Sequence, residues 1–444
     1  MSDQSFSHPS LSNPRTLVLC FDGTSSEYDG DNTNVVKFFL LLKKDNCDEQ
    51  LCYYQAGIGT YFDPGVVSPL LQWGAMVLDE AFAWYLSAHV VEGYRFIMQN
   101  YKSGDKICIF GFSRGAYTAR AVGGMLFKIG LLPRDNFEQI PFAYKLYKRT
   151  DKEGIELAAG FKDTYCTTVT VEFMGVWETV SSVGVIMNKT LPFTNSNTSI
   201  KTFRHAISLD ERRAKFRANL FHRPIASGNI ANKKGNRGLG LFRRTRRLPE
   251  DVENEPSSGG PSTDVLEVWF AGCHGDVGGG SVSNSEPHSL GNISLRWMIR
   301  QVILSQCGVL FKNEALSKTW VDFPPTPLPF PTKAKESWSE KGSTSDNGVA
   351  ESDRQDAVTP LHDQLKLKGG NILWWILEII PLDYSWQDAK GVWHSTFKAN
   401  LGKGRKIEDE HPKFHTTVME RMKTESLKYR PNAIWQRGTE AYVD

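Results

Sequence analysis

The residues with the clearest chemical potential form the pentapeptide Gly111-Phe112-Ser113-Arg114-Gly115. A serine hydroxyl is a weak nucleophile until a neighbouring base takes its proton, and that base works only when a carboxylate orients it. In a G-x-S-x-G segment the serine occupies a tight turn between a strand and a helix. The two glycines, here Gly111 and Gly115, let the flanking backbones approach each other. KICIF precedes the pentapeptide and AYTARAVGGML follows it, a strand-like run and then a helix-like run. The five residues alone are a weak signal; their place at a strand-to-helix boundary makes them specific.

The chain order expected around such a serine is serine, acid, histidine. The apolar run VEFMGVW ends at Glu178 and the run VLEVWFAGC ends at His274, and each is followed by a segment containing glycine. Ser113, Glu178 and His274 therefore each follow an expected core strand, in the right order. Asp276 is a rival acid only two residues from His274, but it reads as a residue that holds the turn through side-chain to backbone hydrogen bonds. The first strand ends in Phe21-Asp22-Gly23-Thr24. A tight loop there brings backbone N–H groups beside the serine, so an oxyanion hole is expected from the Arg114 N–H together with an N–H of Gly23 or Thr24. Asp22 reads as the residue that fixes this loop. The histidines are scattered and no HExxH-like spacing occurs, so the chemistry calls for no metal and no other cofactor.

These side chains need elements to hold them. Short apolar runs at 17–21, 51–54, 107–110, 167–176 and 265–271 read as strands, while 74–100 and 114–129 carry apolar residues at helical spacing. Continuous apolar strands separated by helices predict a mostly parallel central sheet flanked by helices on both faces, an α/β fold whose active site lies beyond the carboxyl ends of the strands. The expected organisation is a disordered leader at 1–14 and a catalytic domain at 15–322. Residues 223–263, first basic and then acidic, interrupt that domain as a mobile insertion. A Pro- and Ser-rich loop follows at 323–368, and 369–444 form a C-terminal extension packed on the catalytic domain.

Composition restricts the remaining choices. The chain has 444 residues, 52 Lys and Arg against 50 Asp and Glu, and 40% hydrophobic residues, which is ordinary globular usage. A formal charge of +2 supplies no global field for nucleic acid, so no nucleic-acid partner is expected. Seven cysteines without a CxxC pair read as reduced, buried thiols. With no secretory signal and no apolar stretch near the roughly 20 residues that span a bilayer, the expected location is cytoplasmic. Oligomeric state is left open.

The motifs FDGT near the start, TNV at 33–35, QAGIGT at 55–60, GFSRGAYTAR at 111–120, GVWETVSSVG at 175–184, HAISLDERRAKF at 205–216 and FAGCHGDVGGG at 270–280 resemble an uncharacterised α/β-hydrolase family. That family includes the catalytic domains of type VI secretion phospholipase effectors. The resemblance runs from about 15 to 310 and implies an α/β-hydrolase fold with a Ser, Asp, His triad, mapping onto Ser113, position 178 and His274. The chain departs from the pattern at 178, where the family typically reads WDTV and this sequence has Glu178.

The leading expectation is a serine hydrolase of esters, with lipid or phospholipid esters suggested by the resemblance. The alternatives are a small-ester hydrolase or acyltransferase using the same triad, and a non-catalytic interaction protein that retains the fold. The basic half of the insertion and the Trp374 to Ile380 run together suggest peripheral contact with an anionic membrane.

Overall fold

Thr16–Phe21 is buried along its whole length, and its side chains divide between two cores. Leu17, Leu19 and Phe21 join one apolar cluster, whereas Val18 and Cys20 join another on the opposite face. A strand covered on both faces must be apolar at every position, which is why it reads as an unbroken run. The structure is a computed structural model and describes residues 14–23, 29–57, 71–180, 191–194, 196–222, 262–317, 350–366, 372–389 and 391–444. Most of the expected leader, the charged insertion up to residue 261, residues 323–349 of the Pro- and Ser-rich loop, and Thr24 lie outside the described residues.

In chain order the strands are β1 (Thr16–Phe21), β2 (Gln50–Gln55), β3 (Lys106–Phe112), β4 (Val171–Trp177), β5 (Ile200–Ser208), β6 (Asp264–Phe270), β7 (Leu382–Gln387), β8 (Trp393–Lys398), β9 (Lys413–His415) and β10 (Ala441–Val443). Eight of them form one sheet in the order β10-β9-β6-β5-β4-β3-β1-β2, and β7 with β8 forms a separate antiparallel hairpin. Every neighbouring pair within the eight is parallel. Helices Leu71–Asn100 and Arg114–Ile129 cover one face, and helices Asn34–Leu41 and Leu290–Ser305 cover the other. This is an α/β-hydrolase fold.

The strand order reverses between β1 and β3. From β1 the chain moves outward to β2, then returns across β1 to β3 and continues toward β6. Loops leaving β1 and β3 diverge at such a switch point and open a crevice at the carboxyl edge. The register pairs Phe21 with Gly111, which places Gly23 and Ser113 on the two sides of that crevice.

Three expectations change. The run read as a strand from 167 begins only at Val171, because Thr167 bridges to Leu131, just past helix Arg114–Ile129, instead of joining the sheet. Central strand β5 was missed because Arg204 and His205 interrupt its apolar pattern. Both are buried and paired, Arg204 with Gln301 and Asp264, His205 with Glu267. The thiols are only partly as expected: all seven are free, but Cys52 and Cys166 are only half-buried and Cys47 is exposed on the turn before β2.

Candidate active site

Ser113 directly follows β3 and precedes helix Arg114–Ile129, with φ 57 and ψ −121. That conformation is costly for a residue with a Cβ and survives only where the surroundings enforce it. Here the Ser113 N–H donates to Trp177 O at 3.0 Å and Ser113 O accepts from the Tyr117 N–H at 3.3 Å. The glycines make the turn feasible. A Cβ on Gly111 would lie 2.6 Å from Gly115 O, and one on Gly115 would collide with the carbonyls of Phe21 and Asp22.

Glu178 follows β4 and has φ 49. His274 follows β6 and begins the short helix His274–Gly278. The structure brings these three together: His274 Nε2 lies 2.8 Å from Ser113 Oγ, and His274 Nδ1 lies 3.0 Å from Glu178 Oε2. The imidazole is gripped between aromatic rings, with Phe112 and Phe216 each at a centroid distance of 4.8 Å. Burial pushes the His274 pKa below its ordinary value, an effect that the Glu178 carboxylate only partly offsets. The imidazole is therefore neutral at pH 7 and able to accept a proton. Burial by itself would raise the Glu178 pKa, but Arg405 and His274 overcome it and hold the carboxyl well below the usual range.

Asp276 stands apart from this chain of contacts. Its Oδ2 accepts from the Cys273 N–H at 2.9 Å and the His362 N–H at 3.0 Å, while Oδ1 lies 2.7 Å from His362 Nδ1. It holds the turn that presents His274. Asp22 is buried and accepts from Thr33 Oγ1, Tyr54 OH at 2.7 Å and the Gly23 N–H at 2.6 Å. Burial raises its pKa to about 6 despite those bonds. The oxyanion-hole expectation needs adjusting accordingly. Gly23 does lie beside the serine, since a Cβ added there would sit 3.5 Å from Ser113 Cβ, but its N–H is given to the Asp22 carboxylate. Arg114 supplies the first N–H of the helix after the serine, and burial lowers its guanidinium pKa to about 10.

Several residues that build the site had no role assigned from sequence. His205 Nε2 accepts from the Thr179 N–H at 3.1 Å and its Nδ1 faces Glu267 at 2.9 Å, so it fixes the backbone just after Glu178. Asp210 accepts from the Gly272 N–H, Tyr429 OH and the Asn432 N–H, tying the loop before His274 to the C-terminal segment. Glu211 accepts from the His274 N–H at 3.2 Å and pairs with Arg213; burial would raise its pKa, but Arg213 holds it down to about 2. Arg213 in turn stacks 3.5 Å over Phe216. The available signal was a run of charges, Asp210 to Arg213, directly after an apolar strand. Arg405, whose guanidinium grips Glu178, carried none. Among the described residues no group of three His, Cys, Asp or Glu is arranged to hold a metal ion.

Comparison with known proteins places the chain in a family. The Uncharacterized protein YEL023C of Saccharomyces cerevisiae is 26% identical, over 98% of this chain and 82% of that one. An uncharacterized protein from Pseudomonas aeruginosa is 18% identical with a TM-score of 0.37; the match covers 70% of this chain, which spans about half (49%) of that one. The Tle1 effector bound to the VgrG spike of the Type 6 secretion system is 14% identical with a TM-score of 0.38, covering 88% of this chain and 92% of the other. Residues 15–301 match the family model for the catalytic domain of T6SS Tle1-like phospholipase effectors, and the chain belongs to that family.

Proposed function

We propose that the protein hydrolyses lipid esters, phospholipids foremost, with Ser113 as nucleophile, His274 as general base and Glu178 as the orienting acid. The observation that carries this reading is the unbroken line of contacts from Ser113 Oγ through both ring nitrogens of His274 to Glu178, with the serine on a strained elbow. Ser113 Oγ attacks the ester carbonyl carbon as its proton passes to His274 Nε2. The Nδ1 proton of the resulting imidazolium faces the Glu178 carboxylate, which stabilises the positive charge. His274 then protonates the leaving alcohol, and water, deprotonated by the same imidazole, releases the fatty acid from Ser113. The developing oxyanion is received by the Arg114 N–H, with the Gly23 N–H as second donor once it turns from Asp22. This last step assigns Asp22 the task of holding the loop between turnovers.

The lipid assignment is supported by what surrounds the imidazole. Phe216, in contact with His274, also packs on Trp374 at 5.5 Å. Trp374 belongs to helix Ile372–Ile379, which carries exposed Ile376 and Ile379 and leads into exposed Ile380. The neighbouring hairpin adds Phe397, which is 69% exposed, and just beyond it Leu401 is 54% exposed; exposed Lys398 and Lys403 alternate with them. Apolar side chains interleaved with lysines suit the interface of an anionic membrane. Among the described residues no helix is long and apolar enough to cross one.

A fluorophosphonate probe tests the reading. Wild-type protein should form an adduct at Ser113 and release fatty acid from phosphatidylglycerol-containing vesicles, and Ser113→Ala should do neither. Labelling that is absent in the wild type, or unchanged in Ser113→Ala, defeats the proposal.

A further inference from the structure

The acid that faces His274 is gripped from behind by a residue 227 positions later in the chain. Arg405 Nη1 lies 2.7 Å from Glu178 Oε1 and its Nη2 lies 2.9 Å from Oε2, a two-pronged contact between planar groups. The same guanidinium donates to Ser208 O, Ser208 Oγ and Phe216 O, and the Ser208 N–H donates to Glu178 Oε1 at 2.6 Å. Oε1 is thus held by Arg405 and Ser208, while Oε2 is shared between Arg405 and His274. A glutamate has one more rotatable bond than an aspartate, so its carboxylate has more ways to miss the imidazole. The fork removes that freedom.

The grip leaves a polar group unsatisfied. Arg405 Nε is buried and makes no hydrogen bond, an arrangement that native interiors rarely keep without a reason. Arg405 is itself fixed in place: its carbonyl accepts from the Ile434 N–H at 2.8 Å, and the Ile407 N–H returns a bond to Ile434 O at 2.9 Å. The other titratable groups facing the pair are Glu211 and Arg213 after β5, Tyr384 on β7, and His205 next to Glu178. None of them forks the carboxylate.

We infer that Arg405 is a positioning residue of the hydrolase, holding the Glu178 carboxylate in the one placement that supports the Nδ1 proton of His274. The inference rests on the Ser113, His274 and Glu178 reading. It adds that the acid is a two-residue unit, one member of which comes from beyond the stretch the family model matches. Arg405 also offsets part of the carboxylate's charge, so its removal acts on the imidazole as well as on the acid. An unpaired Glu178 pulls the His274 pKa upward, and burial no longer opposed by a cation raises the pKa of Glu178 itself. Both move the acidic limb of reactivity in the same direction, toward higher pH.

The test is the second-order rate of fluorophosphonate inactivation from pH 5 to 9 for wild type, Arg405→Met and Arg405→Lys. Arg405→Met should react about 10- to 100-fold more slowly, the scale of a misplaced catalytic group. Its acidic limb should move up by about one pH unit. Arg405→Lys keeps the charge without the fork, so its limb should stay near the wild-type position while its rate falls between the other two. Wild-type reactivity in Arg405→Met overturns the inference. So does a slower rate with an unmoved limb and a loss of thermal stability to match, which marks a purely structural role. The His274 titration followed by NMR in wild type and Arg405→Met reads the same pair without any reaction: an upward move supports the inference and no move overturns it. Wild-type protein that does not label at Ser113 defeats the hydrolase reading separately, and the NMR comparison still decides the role of Arg405.

Discussion

Replacing Glu178 by aspartate restores the residue typical of the family and, in this protein, should damage the enzyme. Glu178 is fully buried, and its backbone is fixed by the bond from its N–H to Ala206 O at 2.9 Å and by a φ of 49. The backbone cannot advance to compensate for a shorter side chain. Removing one methylene withdraws the carboxylate by about 1.5 Å, one C–C bond. The 3.0 Å contact with His274 Nδ1 then opens well past hydrogen-bond range, and the bonds to Ser208 and Arg405 stretch with it. A displacement of this size should lower kcat by about 100-fold, or about 2.7 kcal/mol of transition-state stabilisation. Stability should fall as well. The lost methylene costs about 1 kcal/mol and a weakened bond to a charged group about 1.5–3 kcal/mol, so a loss of about 2.5–4 kcal/mol is expected. Fatty-acid release from phosphatidylglycerol-containing vesicles measures the first quantity and urea unfolding the second. Glu178→Asp protein with wild-type kcat and an unchanged unfolding midpoint would refute the claim that side-chain length at 178 is set by these contacts.

Other consequences are open to direct measurement. Because burial holds His274 below its ordinary pKa of about 6.5, kcat/KM should rise with pH along a limb centred below that value, activity being lost as pH falls through the folded pKa; a limb centred above 7 contradicts the assignment. The same depressed pKa makes the folded protein lose stability as pH drops from about 6.5 toward the folded value, a slope that His274→Gln should flatten in urea titrations. Ser113→Gly should abolish labelling yet raise the unfolding free energy by about 1 kcal/mol by relieving the positive φ, and a destabilised variant would argue against a strained elbow. Phe397→Glu should slow hydrolysis of anionic vesicles while leaving a dispersed short-chain ester untouched; equal loss on both substrates would detach the apolar patch from interfacial binding.

The parts of the site legible from sequence share one property: they are local. Ser113 and Glu178 stand immediately after β3 and β4, and His274 stands four residues past the end of β6; all three strands are buried at their carboxyl ends, so an apolar run and its end sufficed to bring these residues to one edge of the sheet. Gly111 and Gly115 were legible because a tight elbow tolerates few other residues. What escaped depended on partners far along the chain. Strand β5 looked too polar to be central, since the groups that neutralise Arg204 and His205 lie on β6 and on helix Leu290–Ser305. The state of the Gly23 N–H could not be read either, because Asp22 is able to fold its side chain back onto the next amide. Arg405 sits in the polar run LGKGRKIED and looks like a surface cation until Glu178 is placed beside it.

The distance between Glu178 and Arg405 is also an interval of time. A ribosome adding about 5–20 residues per second completes β4 and its acid roughly 10–45 s before Arg405 emerges. During that interval the serine elbow is already encoded and the switch-point strands are available to pair, yet the acid has no fork. The last contact of the charge-bearing centre is therefore made after β6 has been synthesised and the C-terminal segment has come back across the sheet. A chain interrupted between residues 274 and 405 carries the nucleophile and the base but not the completed acid, so catalytic competence arrives late in synthesis, together with closure of the fold.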